Sequence, residues 1–234
     1  MKILVIGPSD TKSRGGMAAV IRDIRNSRIL RQSYDFDIFS SYIDGRIVVR
    51  ILYSIFAYLK FLTLYKKYDV FHIHTASYGS TFRKRMYLKK IKKTGKKVII
   101  HIHGAKYLEF YAHLNDRRKR QVTEFLKAAD MVIALSDGWK EKFEQIFGLT
   151  NCVSLPNGID TEAYEGAVCD MKLHSNEFAL LGRLGERKGA FDLIEAAGIA
   201  VKQNPDIRIY MAGDGEVDRV RELVKQNHLE KNIE

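Results

Sequence analysis

Short apolar, β-branched runs recur along the chain at residues 2–6, 36–40, 69–74, 97–103, 131–136, 152–155, 178–181 and 207–212. They are continuous rather than alternating, which predicts strands of a parallel sheet covered on both faces. Between them, residues 16–30, 45–67, 81–93, 114–128, 137–147, 189–203 and 216–227 carry apolar positions at helical spacing. Strand–helix alternation of this kind predicts an α/β fold, a Rossmann-like doubly wound parallel sheet. Such sheets bind ligands beyond the carboxyl ends of their strands. The residues just after each strand are therefore the ones to search for chemistry.

The pattern breaks near residues 156–172, a polar stretch with turn chemistry at Pro156-Asn157-Gly158. This predicts a first domain over 1–168 and the beginning of a second Rossmann-like domain over 169–234. The second part holds only two strands and two helices, a poor core for its size. Another strand is expected after Asn232-Ile233-Glu234.

The helix at 45–67 is apolar on more than one side. Val48, Ile51, Leu52, Ile55, Leu59 and Leu62 form a stripe at i, i+3, i+4, i+7 spacing, which favours a core-facing helix. Tyr53, Phe56, Phe61 and Tyr65 form a second apolar set beside Arg46, Arg50 and Lys60, a pattern that also suits a helix lying in a bilayer interface. Arg50 and Lys60 inside the segment argue against a membrane span.

Composition is that of a globular protein, 46% hydrophobic and 29% charged over 234 residues. Two cysteines at no metal-ligand or redox spacing fit a reducing, cytoplasmic setting. Charge changes the picture more. Residues 1–155 hold 29 Lys and Arg against 13 Asp and Glu, a net of +16, while the remainder nets −5 within a total of +11. Residues 82–97 contain nine cations and no acid, among them Arg83, Lys84, Arg85, Lys89, Lys90, Lys92 and Lys93. Such a run predicts docking on an anionic membrane surface, with the protein peripheral on the inner face of the cell membrane. Nucleic acid is the rival anionic partner, but no recognition-helix, RNP or zinc-finger motif accompanies the charge, so none is expected.

Three loops stand out. Gly15-Gly16 opens a helix, where backbone N–H groups can approach a phosphate; a plain tight turn is the alternative. His72-Ile73-His74 and His101-Ile102-His103-Gly104 each place two imidazoles on one strand face. Without a carboxylate or cysteine at metal spacing, they predict core or substrate-contact histidines and no metal. Gly182-Arg183-Leu184-Gly185-Glu186-Arg187-Lys188-Gly189 ends a strand, projects cations and opens a helix, which suits a diphosphate. Gly213-Asp214-Gly215 reads as backbone geometry alone.

Taken in order, these pieces resemble the family-4 retaining glycosyltransferases of the two-domain GT-B arrangement. The resemblance runs through Gly15-Gly16, the two His-x-His strands, residues 132–136, Leu155-Pro156-Asn157-Gly158-Ile159-Asp160, Gly182-Arg183-Leu184 with Lys188-Gly189, and Gly213-Asp214-Gly215. It implies a UDP- or GDP-linked sugar donor, no further cofactor, and a lipid-linked or glycan acceptor in cell-surface polysaccharide or glycolipid synthesis. Arg183, Lys188, Gly15 and Gly16 would hold the donor diphosphate, and His103 would be the catalytic residue, touching the transferred sugar or helping to polarise the site. The family's paired glutamates would lie beyond Glu234. The chain thus resembles a C-terminally truncated member, weakly active or inactive alone, with an inactive membrane- or partner-binding derivative as the alternative.

Overall fold

A computed structural model describes residues 1–159, 161 and 176–234. The chain divides into two compact units, residues 1–161 and 162–234. The expected boundary at 168/169 and Cys169 lie outside the described residues.

Unit 1 is a six-stranded, all-parallel sheet in the order β2-β1-β3-β4-β5-β6. Its strands are β1 (Lys2–Pro8), β2 (Asp35–Tyr42), β3 (Val70–Thr75), β4 (Lys97–Ile102), β5 (Met131–Ala134) and β6 (Cys152–Ser154). The helices between them are α1 (Gly16–Asn26), α2 (Arg28–Ser33), α3 (Ile47–Leu64), α4 (Gly79–Lys92), α5 (Tyr107–Ala112), α6 (Asp116–Lys127) and α7 (Asp137–Phe147). The sequence pattern missed α2 and α5, each of six residues and too short to show a helical period. Ser27 caps α2, which separates it from α1 within the expected single helix.

The two sheet faces differ. Leu4, Ile6, Phe71, Ile73, Val98, Ile100, Ile102, Val132 and Ala134 point into one large core with α3 to α7. The other face carries Val5, His72, His74, His101 and Ile133, and α1 approaches it closely enough that a Cβ on Gly7 would strike Ile21. That second face is only partly covered, for Met131 and Val153 are exposed. Burial on both faces holds for the centre of the sheet and fails toward β6.

The helix α3 departs most from expectation. The side that packs carries most of the aromatic set: Ala57, Phe61 and the following Tyr65 are buried, Tyr53 and Leu62 lie against the core, Phe56 is exposed, and Phe61 stacks edge-on against Tyr87 at 4.7 Å and Phe39 at 6.1 Å. The aliphatic stripe Val48, Ile51, Leu52, Ile55 and Leu59 faces outward, Leu52 at 62% exposure. Both sides are apolar, so periodicity could not tell which one the sheet would take; the rings of Phe39, Phe71 and Tyr87 decided it. By length and composition residues 47–67 are long and apolar enough to cross a membrane, with mean hydropathy 1.8.

Unit 2 contains β7 (Glu177–Leu181) paired in parallel with β8 (Arg208–Ala212), and α8 (Ala190–Gln203) and α9 (Val217–Gln226). Leu180, Ile209, Ile194, Ala197, Val220 and Val224 form its core. Residues 232–234 already run beside β8, where the Ile209 N–H donates to the Asn232 carbonyl at 2.7 Å and the Met211 N–H to the Glu234 carbonyl at 2.7 Å. Leu181 and Tyr210 on the sheet are exposed.

Candidate functional site

The carboxyl end of the unit 1 sheet opens on a cavity of about 480 Å³ with charged and apolar groups mixed on its wall. Three segments supply part of its wall, and Tyr42, Asp44, Arg50, Arg83, Lys84 and Asn157 also line it. The loop after β1 brings Ser13 to Gly16, where Gly15 caps α1 at φ 107 with no side-chain cap, so the first N–H groups of α1 stay free for a ligand. A Cβ on either Gly15 or Gly16 would meet nothing within 4 Å, as expected beside open space. The loop after β3 contributes Ala76 to Ser80, with Tyr78 held at φ 57, a left-handed conformation unusual for a large side chain. The end of β4 contributes His103. Gly104 is required there because a Cβ would press on the Ser77 amide and hydroxyl.

The two His-x-His runs come together. Parallel pairing sets His74 opposite His101, so all four rings lie on one sheet face. His72 stacks on His101 at 5.5 Å, His74 on His103 at 5.0 Å, and His101 and His103 lie 4.1 Å apart. His74 Nδ1 and His103 Nε2 share a hydrogen bond of 2.9 Å. Burial drives all four pKa values down, His72 and His103 to about 4 and His101 to about 2, with mutual repulsion adding to the effect on His72, His74 and His101. The cluster is neutral at pH 7, and His103 there is a hydrogen-bonding group rather than a charged one. Nitrogens of His72, His74 and His101 lie within 4.8 Å of one another, a set able to accept a metal ion. The sequence reading of no metal considered each pair alone; the β3–β4 register that merges them was not legible there.

Not all of the seven cations predicted as a membrane surface are surface side chains. Lys84 is buried, at 2% exposure, and its Nζ donates to the Ser41 hydroxyl, which donates to the Gly7 carbonyl at 2.8 Å. Burial, with Arg83 adding to it, pushes its pKa well below the ordinary lysine value. Lys92 pairs with Asp130 at 2.9 Å and Arg85 with Glu124 at 3.3 Å. Lys90 lies over the Tyr65 ring. Only Lys89 and Lys93 of the predicted seven are exposed. Six of the nine cations lie on α4, whose successive side chains turn around the helix axis, so they cannot all point one way. Arg83, half-buried, lines the cavity with Lys84 instead, together with Arg14, Arg50 and Asp44, which sequence reasoning had not selected.

In unit 2, Arg183 and Lys188 line a hollow of about 260 Å³ at the carboxyl end of β7, with Glu186 and Glu216 also on its wall. Residues 186–188 form a short 3-10 turn, and α8 opens one residue later than expected, behind Gly189 at φ 73. Neither Arg183 nor Lys188 has a carboxylate within 4 Å among the described residues. The Gly213 turn lies against this loop: the Leu184 N–H donates to the Asp214 carbonyl at 2.6 Å, and a Cβ on Gly213 would overlap the Gly182 carbonyl. That is the backbone geometry expected of it. The predicted diphosphate group is thus divided, Gly15 and Gly16 in unit 1 and Arg183 and Lys188 in unit 2.

Comparison with known proteins gives a consistent answer. The sequence profile of Glycosyltransferase Family 4 matches residues 15–163. A comparison with curated proteins finds no match. Among solved structures, the chain resembles MnaA of S. aureus in complex with UDP (TM-score 0.61, 14% identity, 100% of this chain and 67% of that one). It also resembles the catalytic domain of Starch Synthase IV from Arabidopsis thaliana bound to ADP and acarbose (0.62, 11%, 99% and 73%). A third likeness is to the apo form of the lipopolysaccharide outer core galactosyltransferase WaaB (0.55, 17%, 100% and 67%). At these identities the structures speak to the fold, which is GT-B. The chain spans from 31% to 73% of the length of the solved structures named among its matches.

Proposed function

Because the chain belongs to Glycosyltransferase Family 4, we propose that it serves the transfer of a hexosyl group, with retention, from a UDP- or GDP-linked sugar to a glycan or lipid-linked acceptor in cell-surface polysaccharide or glycolipid synthesis. The observation that carries this reading is the Arg183/Lys188 hollow, a glycine turn with two exposed cations that form no ion pair within 4 Å among the described residues, although Glu186 and Glu216 share the wall. Cations placed where a leaving diphosphate gathers charge lower the barrier to its departure. In unit 1, the free N–H groups of α1 and the neutral His103 offer hydrogen bonds to sugar hydroxyls or to the acceptor. The same fold occurs in a putative UDP-N-acetylglucosamine 2-epimerase from Listeria monocytogenes; the family profile is what favours transfer.

Isothermal titration of the full chain with UDP and GDP tests the donor assignment. Arg183→Ala should weaken binding of the preferred nucleotide about 10- to 100-fold, the loss of a charge-assisted contact of roughly 1.5–3 kcal/mol. Unchanged affinity would remove Arg183 from the site.

We also propose peripheral attachment to the inner face of the cell membrane. Its support is the exposed aliphatic side of α3, with Arg46 and Lys60 exposed on the same helix region. Leu52→Glu with Phe56→Glu should abolish pelleting with vesicles containing anionic lipid, without lowering thermal stability. Equal pelleting by this variant would refute the α3 assignment.

A further inference from the structure

Two cavities of unit 1 share a wall. Besides the mixed-walled cavity, an apolar groove of about 580 Å³ lies between α3 and α4. The two meet at Tyr42, Arg50, Gly79 and Arg83, which line both. The guanidinium of Arg50 lies 5.3 Å from the Tyr42 ring centre and that of Arg83 lies 4.8 Å from it. Two guanidinium groups therefore hold one aromatic ring at the point where the mixed-walled cavity turns into apolar space.

This junction carries more positive charge than its surroundings balance. Among the described residues, neither Arg50, Arg83 nor Lys84 has a carboxylate within 4 Å, and Lys84 sits fully enclosed behind them with one hydroxyl as partner. Among the described residues Asp44 is the one acid on the cavity wall; it accepts the backbone N–H of Arg14 at 2.7 Å and is outnumbered there by Arg14, Arg50 and Arg83. Of the two guanidinium groups Arg83 is half-buried and Arg50 exposed; like charges held this close without a counter-ion repel, and a bound anion relieves that repulsion. Arginine is the residue suited to phosphate, through its fork of donors. The groove beyond offers Ile51, Ile55, Leu59 and Met86, all exposed, to something apolar.

We propose that this junction is the phosphate subsite for an amphiphilic acceptor. A single hydrocarbon chain occupies the α3–α4 groove, its phosphate or diphosphate lies between Arg50 and Arg83, and the group beyond the phosphate enters the mixed-walled cavity toward Gly16 and His103. The word acceptor rests on the transferase reading above; the binding site does not. Neither half of the ligand satisfies the site alone: a neutral lipid leaves the arginines uncompensated, and a free diphosphate leaves the groove open to water.

The test is isothermal titration of the full chain, with UDP at saturation to occupy Arg183 and Lys188, using farnesyl diphosphate, farnesol and inorganic diphosphate as probes. Farnesyl diphosphate should bind at least about 10-fold tighter than either part. Arg50→Ala and Arg83→Gln should each weaken it about 10- to 100-fold. Ile55→Asp should weaken farnesyl diphosphate while leaving inorganic diphosphate unchanged, and Lys93→Ala should change neither. Arg50 is exposed, so that variant should fold even if a change at Arg83 does not. Equal binding of inorganic and farnesyl diphosphate would overturn the proposal, as would undiminished binding by the arginine variants. So would loss of binding to 7:3 phosphatidylcholine–phosphatidylglycerol vesicles with soluble farnesyl diphosphate unaffected, since the arginines would then serve a bilayer surface. A parallel UDP titration separates the two readings. UDP binding without farnesyl diphosphate binding sinks this subsite alone; the reverse sinks the donor site and leaves the subsite standing.

Discussion

Replacing Lys84 by methionine should make unit 1 more stable while weakening anion binding. The ammonium is 2% exposed, its one hydrogen-bond partner is the Ser41 hydroxyl, and Arg83 beside it adds repulsion. Methionine matches the stem in length, and Ser41 keeps its bond to the Gly7 carbonyl. Replacing buried ionic groups by apolar residues of similar volume is neutral or stabilises by about 1–4 kcal/mol even where the charges were paired, and Lys84 has no ionic partner among the described residues. Loss of one amine–hydroxyl bond offsets about 1 kcal/mol of that. The expected net gain at pH 7 is therefore about 1–3 kcal/mol. A pH signature accompanies it. The amine pKa is lowered in the folded state, so the unfolded chain binds the proton more tightly, and wild-type stability should rise with pH until it passes the ordinary lysine value of 10.5. The slope is at most about 1.4 kcal/mol per pH unit, and the variant should lose it. Trp139, the single tryptophan, packs on Phe143 in unit 1 and reports its unfolding in urea by fluorescence. A Lys84→Met chain that is destabilised, with the alkaline slope intact, would refute the reasoning and point to a compensating partner for the amine.

Two further outcomes concern the histidine cluster and the Gly215 turn. The four histidines have lowered folded pKa values, so they cost nothing above pH 6.5 and oppose folding as pH falls from there toward about 4. Urea midpoints read by Trp139 should fall between pH 7 and 5, a window above the carboxylates, and a flat profile would argue against neutral burial. Gly215→Ala, at φ 118, places a Cβ against the backbone carbonyl and amide of Leu184 and should destabilise unit 2 by about 2–4 kcal/mol. Limited proteolysis should then open residues 176–234 while Trp139 emission stays unchanged; protection equal to wild type would count against the tight loop contact.

Order and kind were legible from the sequence alone. Continuous β-branched runs separated by helical periods specify a parallel α/β sheet, because both signals are local and repeat along the chain. The ordered glycine loops carried the family, and a strand ending at Gly182 with Arg183 and Lys188 after it is a local pattern of turn and charge. Register, facing and company were decided by the tertiary structure. Nothing local says that His74 will pair with His101, so two separate His-x-His runs gave no hint of a four-ring cluster. Nothing local chooses between two apolar sides of α3, and Phe39, Phe71 and Tyr87 from distant parts of the chain made that choice. The cation run of α4 read as one surface because charge counts carry no direction. Folding distributed it, with Lys92 and Arg85 drawn to acids from other elements and Arg83 and Lys84 turned into the cavity beside Arg50. A residue's type is written in the sequence; which way it points depends on what the rest of the chain packs against it.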